Sequence, residues 1–298
     1  MADVPVAPLI LTKIRVPAPR PRIVPRARLV ESLTLEMGTA LVLICAPAGY
    51  GKSTLLTEWS QSLSQNDVTV AWYALDPGDN DPVLFGSYLV ASLMQALGSL
   101  PELARASQLL RSSPESDWQR ILPIIINALA SIERDCVLIL DDYHVITTPA
   151  IHTGVAFLLE HLPANLHVVI GSRSDPPLSL ARLRARRQLL ELRAAALRFT
   201  ADETTAFLND VMRLDLAPAL IEQLKERTEG WIAGLQLAAL SLAGRADKAD
   251  FIASFTGRHR YLVEYLMEEV VSRQSEMIQA FLRTTSILDR LCGPLCDA

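Results

Sequence analysis

The chain has 298 residues, half of them hydrophobic, and a formal net charge of −5. That length accommodates two or three domains, and the acidic balance argues against a protein built mainly to neutralise phosphate backbones. No apolar run reaches the ~18 residues a membrane helix needs, and the N-terminus lacks the basic and apolar regions of a signal peptide, so a cytoplasmic location with no membrane contact is expected.

Residues 1–28 are rich in Pro and Arg and read as an extended arm. A helix follows at 29–37. Strands are expected at 40–45, 68–75, 136–140, 166–171 and 188–192, alternating with helices at 52–63, 82–97, 117–132, 149–161 and 178–187. Continuous apolar strands separated by helices imply a parallel sheet covered on both faces, an α/β architecture. After Leu197 the strands stop. Thr200-Ala201-Asp202-Glu203 has the form of a capping box and places a helix start there. Domain boundaries are therefore expected near 199 and near Gly257, giving 29–199, 200–257 and 258–298. Cys45 and Cys136 fall inside buried strands. Cys292 and Cys296 have no histidine or second cysteine pair nearby, so no metal site is expected there. Two arginine clusters, Arg20 to Arg28 and Arg182 to Arg187, read as solvated basic faces.

The segment 41–54 carries the chemistry. An apolar strand enters the turn Ala46-Pro47-Ala48-Gly49-Tyr50-Gly51, and Lys52-Ser53-Thr54 opens a helix. Successive backbone N–H groups in such a turn, with a helix N-terminus behind them, form a concave anion site. Gly49 and Gly51 allow the close approach, Lys52 reaches the β- and γ-phosphates, Ser53 offers a hydroxyl to Mg²⁺, and Thr54 reaches the α-phosphate. The usual pattern begins with Gly where this chain has Ala46.

The strand 137–140 ends in Asp141-Asp142. An acid at such a strand end holds Mg²⁺ through its water shell, and Asp141 comes first; Asp142 is then placed to orient or activate the attacking water. The strand 166–171 ends in Ser172-Arg173. If it lies beside the phosphate-loop strand, Arg173 meets the γ-phosphate; on residues alone, a surface arginine is an equal reading. The guanine-reading Asn-Lys-x-Asp tetrapeptide is absent, which favours ATP over GTP.

The residues 46–54, 71–76 with Gly78-Asp79-Asn80, Asp141-Asp142-Tyr143-His144, Gly171-Ser172-Arg173, Gln188 to Glu191, Phe199-Thr200, Glu229-Gly230-Trp231 with Ala233-Gly234-Leu235, and 265–270 occur in that order. This series resembles the ATPase module of large MalT-like, LuxR-type transcription activators, members of the signal-transduction ATPases with numerous domains and relatives of NB-ARC proteins. The resemblance implies a P-loop nucleotide-binding domain, a helical domain and the start of a winged-helix domain. It further implies ATP, ADP and Mg²⁺ as ligands, a closed inactive ADP form, self-association in the ATP form and slow hydrolysis. Lys52 and Ser53 match the Walker A pair, Asp141 and Asp142 the Walker B acids, and Arg173 the first sensor. Pro25 and Arg28 fall where the N-terminal segment packs against adenine. The Gly-Leu-Pro turn of NB-ARC relatives is replaced by Gly230-Trp231-Ile232-Ala233-Gly234-Leu235, without the proline. The resemblance also implies that the chain ends inside the winged-helix domain, before the inducer-binding repeats and the DNA-binding helix-turn-helix, so no direct DNA binding is expected. Two other readings fit the same residues: a nucleotide-dependent binding and oligomerisation module without hydrolysis, and a nucleic-acid motor using the 182–187 arginines.

Overall fold

The computed structural model describes residues 9–286 except 20, 36–37, 113–117 and 258. Cys292, Cys296 and the end of the expected winged-helix segment lie outside the described residues. The chain divides into two compact units, 1–198 and 199–298.

In the first unit, α1 (Ala27–Leu35) precedes β1 (Leu41–Cys45), α2 (Lys52–Gln65) and β2 (Thr69–Ala74). Then come α3 (Pro82–Leu97), α4 (Pro101–Ser112), α5 (Leu122–Ala130), β3 (Cys136–Asp141) and α6 (Pro149–Glu160). The unit closes with β4 (Leu166–Ser172), α7 (Leu180–Ala185), β5 (Leu189–Arg193) and the single turn α8 (Ala194–Leu197). The five strands form one parallel sheet in the order β2-β3-β4-β1-β5.

Side chains alternate across a strand, and β1 shows how that period divides the core. Leu41, Leu43 and Cys45 join one buried cluster, with Leu89 and Leu93 of α3, Leu103 of α4, Ile125 of α5 and Leu158 of α6. Val42, Ile44 and Ala46 join another, with Leu29 and Leu33 of α1 and Leu55, Leu56 and Trp59 of α2. Helices therefore cover both faces, which is why the strands read as unbroken apolar runs. The expected α/β sandwich is present. Cys45 and Cys136 are buried free thiols within it, and burial pushes the Cys136 thiol up to about 12.

Helix α4 was not expected from the sequence. Its buried residues Leu103, Ala106 and Leu110 keep a helical spacing on one side of an otherwise polar segment. The expected helix at 117–132 begins as a 3-10 turn, Trp118–Ile121, before Pro123 in the first turn of α5. The arm is not wholly extended either: Leu11–Ile14 form a 3-10 turn whose Ile14 is buried.

The second unit is helical. It contains α9 (Ala201–Thr205), α10 (Pro218–Thr228), α11 (Ile232–Leu242), α12 (Lys248–Ser254), α13 (Arg260–Leu266) and α14 (Glu276–Thr285). Both halves of the capping box form: Glu203 N–H donates to Thr200 Oγ1 at 3.2 Å, and Thr200 N–H donates to Glu203 Oε2 at 2.9 Å. Leu208, Leu224, Leu235, Ala238, Leu242 and Ile252 are fully buried in this unit. Trp231 stands at the N-cap of α11, and a Cβ added at Gly234 would lie 2.7 Å from its ring. The proline-free motif thus packs an indole where a side chain at 234 would not fit.

Candidate functional site

Three strand ends meet at the C-terminal edge of the sheet. Cys45 pairs with Ser172, and β4 lies between β1 and β3. The turn after β1 (46–51), the two acids at the end of β3 and the arginine after β4 therefore emerge side by side.

The loop conformation follows from its residues. Ala46 N–H donates to Ser172 O at 3.2 Å, so the first loop residue continues the sheet ladder. Its methyl is buried, 2% exposed, in the cluster beneath α2. That burial is the physical reason Ala is accommodated where glycine is usual. Gly49 (φ 81°) and Gly51 (φ 75°) both occupy the left-handed region. Leu55 N–H donates to Gly51 O at 2.9 Å, which starts α2 directly behind the loop. Lys52 folds back over the turn, its Nζ donating to Ala46 O at 2.7 Å and Pro47 O at 3.0 Å. Burial lowers its pKa; Asp142 and Asp141 act in the opposite direction, and Arg173 adds to the lowering. Four candidate site residues thus lie within one electrostatic neighbourhood.

Asp141 is 4% exposed at the end of β3. Its carboxyl lies near Ser53 and accepts a hydrogen bond, at 3.0 Å, from Asp142 N–H. Burial first, and then the neighbouring Asp142, raises its pKa to about 6. Gly171 backs it: a Cβ there would lie 2.5 Å from Asp141 Oδ1. Asp142 has left-handed backbone (φ 59°, ψ 34°) and leads into the 3-10 turn Tyr143–Val145. Its side chain is 45% exposed, with Oδ1 3.8 Å from His144 Nδ1. Arg173 is half-buried beyond β4.

The arm flanks the other side of α2. Pro17, Ala18, Pro19 and Ile23 line a cavity together with Ser53, Thr54, Thr57, Glu58 and Gln61. The arm is fixed beyond it: Arg26 N–H donates to Glu58 Oε1 at 2.8 Å, and Arg26 Nη2 donates to Leu197 O at 2.9 Å. Pro25 and Arg28 are not brought to this cavity. Arg28 Nη2 donates to Ala196 O and Arg198 O instead. The arm residues that line it, Pro17, Ala18, Pro19 and Ile23, carry no chemical signature in the sequence.

The geometry suits an anion bearing a divalent cation. A concave loop with a helix N-terminus behind it presents N–H groups to phosphate, and the Ser53 hydroxyl beside the Asp141 carboxyl is an oxygen pair of the kind that holds Mg²⁺. Residues 35–190 match the family model described as "AAA domain". The chain belongs to the AAA domain family. Residues 267–298 match a second model, the MalT winged helix domain. The chain is 33% identical over 295 residues to the serine/threonine-protein kinase PknK of Mycobacterium tuberculosis, covering 99% of this chain and 26% of that protein. It is 34% identical over 284 residues to the HTH-type transcriptional regulator MalT of Cronobacter sakazakii, covering 94% and 31%. The chain thus spans between a quarter and a third of these relatives. A solved signal transduction ATPase with numerous domains from Pyrococcus horikoshii, bearing a tetratricopeptide repeat sensor, matches with a TM-score of 0.55 and 17% identity, over 92% of this chain and 36% of that one. A Walker-type ATPase of Pyrococcus abyssi gives a TM-score of 0.55 at 15% identity, over 91% and 81%. The fold is that of a P-loop ATPase followed by a helical region. Among the described residues, no helix is long and apolar enough to cross a membrane.

Proposed function

We propose that this chain is the nucleotide switch of a MalT-like transcription regulator. On this reading it binds ATP or ADP with Mg²⁺, hydrolyses ATP slowly, rests in the ADP form and self-associates in the ATP form. The observation that supports it is the convergence of Asp141, Asp142 and Arg173 on the buried Lys52, directly behind an anion-accepting loop. Mg²⁺ held there would supply charge neutralisation for the transferring phosphoryl group. Ser53 and Asp141 are the residues to hold it, Lys52 to meet the β- and γ-phosphates, Thr54 the α-phosphate, Arg173 the γ-phosphate and Asp142 the attacking water. The cavity formed by Pro17, Ala18, Pro19, Ile23 and α2 is the place for the base. We assign residues 29–199 to nucleotide binding, 200–257 to the helical domain and 258–298 to the start of the winged helix.

Two of the four arginines at 182–187 are engaged by acids: Arg182 with Glu160, and Arg184 with Glu191 at 2.5 Å. That pairing speaks against a nucleic-acid motor and against direct DNA binding by these residues. Fluorescent ATP and ADP analogues titrated into the purified chain test the proposal. Lys52→Ala should abolish binding, and unchanged affinity in that variant would defeat it. Asp142→Asn then separates a switch that hydrolyses from one that only binds: turnover should fall while affinity stays.

A further inference from the structure

The turn Asp76–Asn80 follows β2, does not line the cavity beneath the arm, and is densely hydrogen-bonded. Asp76 and Asp79 cap each other's ends. Gly78 N–H donates to Asp76 Oδ1 at 2.8 Å, and Asp76 N–H donates to Asp79 Oδ2 at 2.7 Å. That mutual capping presents Asn80 to the segment after Asp142. Asn80 Oδ1 accepts from Thr147 N–H at 2.6 Å and Thr148 N–H at 3.1 Å. Asn80 Nδ2 donates to Val145 O at 2.8 Å, and Thr148 Oγ1 donates to Asn80 O at 2.7 Å. One amide side chain therefore satisfies three backbone groups of a loop more than sixty positions away in sequence.

This loop starts at Asp142. Val145 N–H donates to Asp142 O at 3.1 Å, so Asn80 holds Val145 from one side while Val145 holds Asp142 from the other. Asp142 N–H is in turn fixed to Asp141 Oδ1. A left-handed backbone at a non-glycine residue persists only where its surroundings over-determine it. Here the bonds on either side of Asp142 do so, and those on the far side lead to Asn80.

We propose that Asn80 is a positioning residue for Asp142: it sets where the carboxylate stands without touching nucleotide. The proposal rests on the reading of Asp142 as the residue that orients the attacking water. A supporting shell of this kind governs chemistry more than binding, so Asn80→Ala should lower turnover on the order of ten- to a hundredfold and leave the affinity for ATP analogues unchanged.

The experiment compares wild type, Asn80→Ala, Asn80→Asp and Thr148→Val by nucleotide titration, by turnover and by amide hydrogen exchange of residues 142–146 with ADP and Mg²⁺ present. Asn80→Asp keeps the acceptor for Thr147 and Thr148 N–H but loses the donor to Val145, and should fall between wild type and alanine. Thr148→Val removes the hydroxyl that donates to Asn80 O and Oδ1 and reads the same coupling should the alanine variant fail to fold. Faster exchange at 142–146 with turnover lost and affinity kept supports the proposal. Unchanged exchange there, turnover unchanged despite faster exchange, or affinity and turnover falling together would each overturn it. If wild type shows no turnover, only the hydrolytic part of the proposed function falls; the exchange at 142–146 then decides the positioning role by itself.

Discussion

Gly171 offers the sharpest test of the site's geometry. Substitution by alanine would place a Cβ 2.5 Å from Asp141 Oδ1 and 3.1 Å from Leu56 Cδ1, nearly an ångström short of ordinary contact with the carboxyl. Alanine in place of glycine should otherwise favour a strand by roughly 0.5–1 kcal/mol. Overpacking costs typically 1–3 kcal/mol, and a displaced buried carboxyl that loses its donors costs about 1–3 kcal/mol more. Repulsion wins. Gly171→Ala should be destabilised by about 1–5 kcal/mol, and a domain of this size then melts about 2–4 °C lower for each kcal/mol. The larger effect should appear in nucleotide binding measured with Mg²⁺ and again with EDTA. Because the Asp141 carboxylate would be displaced from the end of the strand, the gain in affinity conferred by Mg²⁺ should shrink on the order of tenfold or more, with EDTA values unchanged. An unaltered Mg²⁺ increment together with an unaltered melting temperature would refute the packing of Asp141 against Gly171.

Three further outcomes follow from described contacts. Lys13 Nζ lies 2.6 Å from the fully buried Asp79 and 3.0 Å from Asp76; leaving such a buried carboxylate unpaired costs about 3–5 kcal/mol, so Lys13→Met should show that loss in urea unfolding, and a change near zero would contradict it. Asp141, with a pKa raised to about 6 against an ordinary 3.8, contributes stability below pH 3.8 that is lost as pH rises through 6. Metal-free Asp141→Asn should therefore exceed wild type by up to about 3 kcal/mol at pH 8, and the gap should close between pH 6 and 4; a gap independent of pH would exclude the titration. Thr200→Ala removes the acceptor for Glu203 N–H and should cost about 1 kcal/mol, read from thermal unfolding, while Thr200→Ser should not.

The sheet was legible because parallel strands buried on both faces cannot hide: β1, β3 and β4 each read as unbroken apolar runs, and each begins and ends within two residues of expectation. Helix α4 was not, because among its described positions only Leu103, Ala106 and Leu110 are buried and most of the others are polar. The phosphate loop was legible because its chemistry demands particular residue types. The arm was not, since Pro17, Ala18 and Pro19 serve by shape and backbone. Asn80 lay inside a motif that could be noticed but not explained, because its partners are distant in the chain and mostly backbone, which has no sequence signature.

The arm, fastened at Lys13 and again at Arg26, behaves as a short tether laid across the start of α2. When one fastening opens, the other keeps the freed end at high local concentration, since closing a loop of about a dozen residues carries only a small entropic penalty. On the proposed function, a nucleotide beneath the arm would leave when one of these anchors opens. Residence time there would then be set by the weaker fastening, so substitutions at Lys13 or Arg26 should change how long a nucleotide stays more than how tightly the phosphate loop holds it.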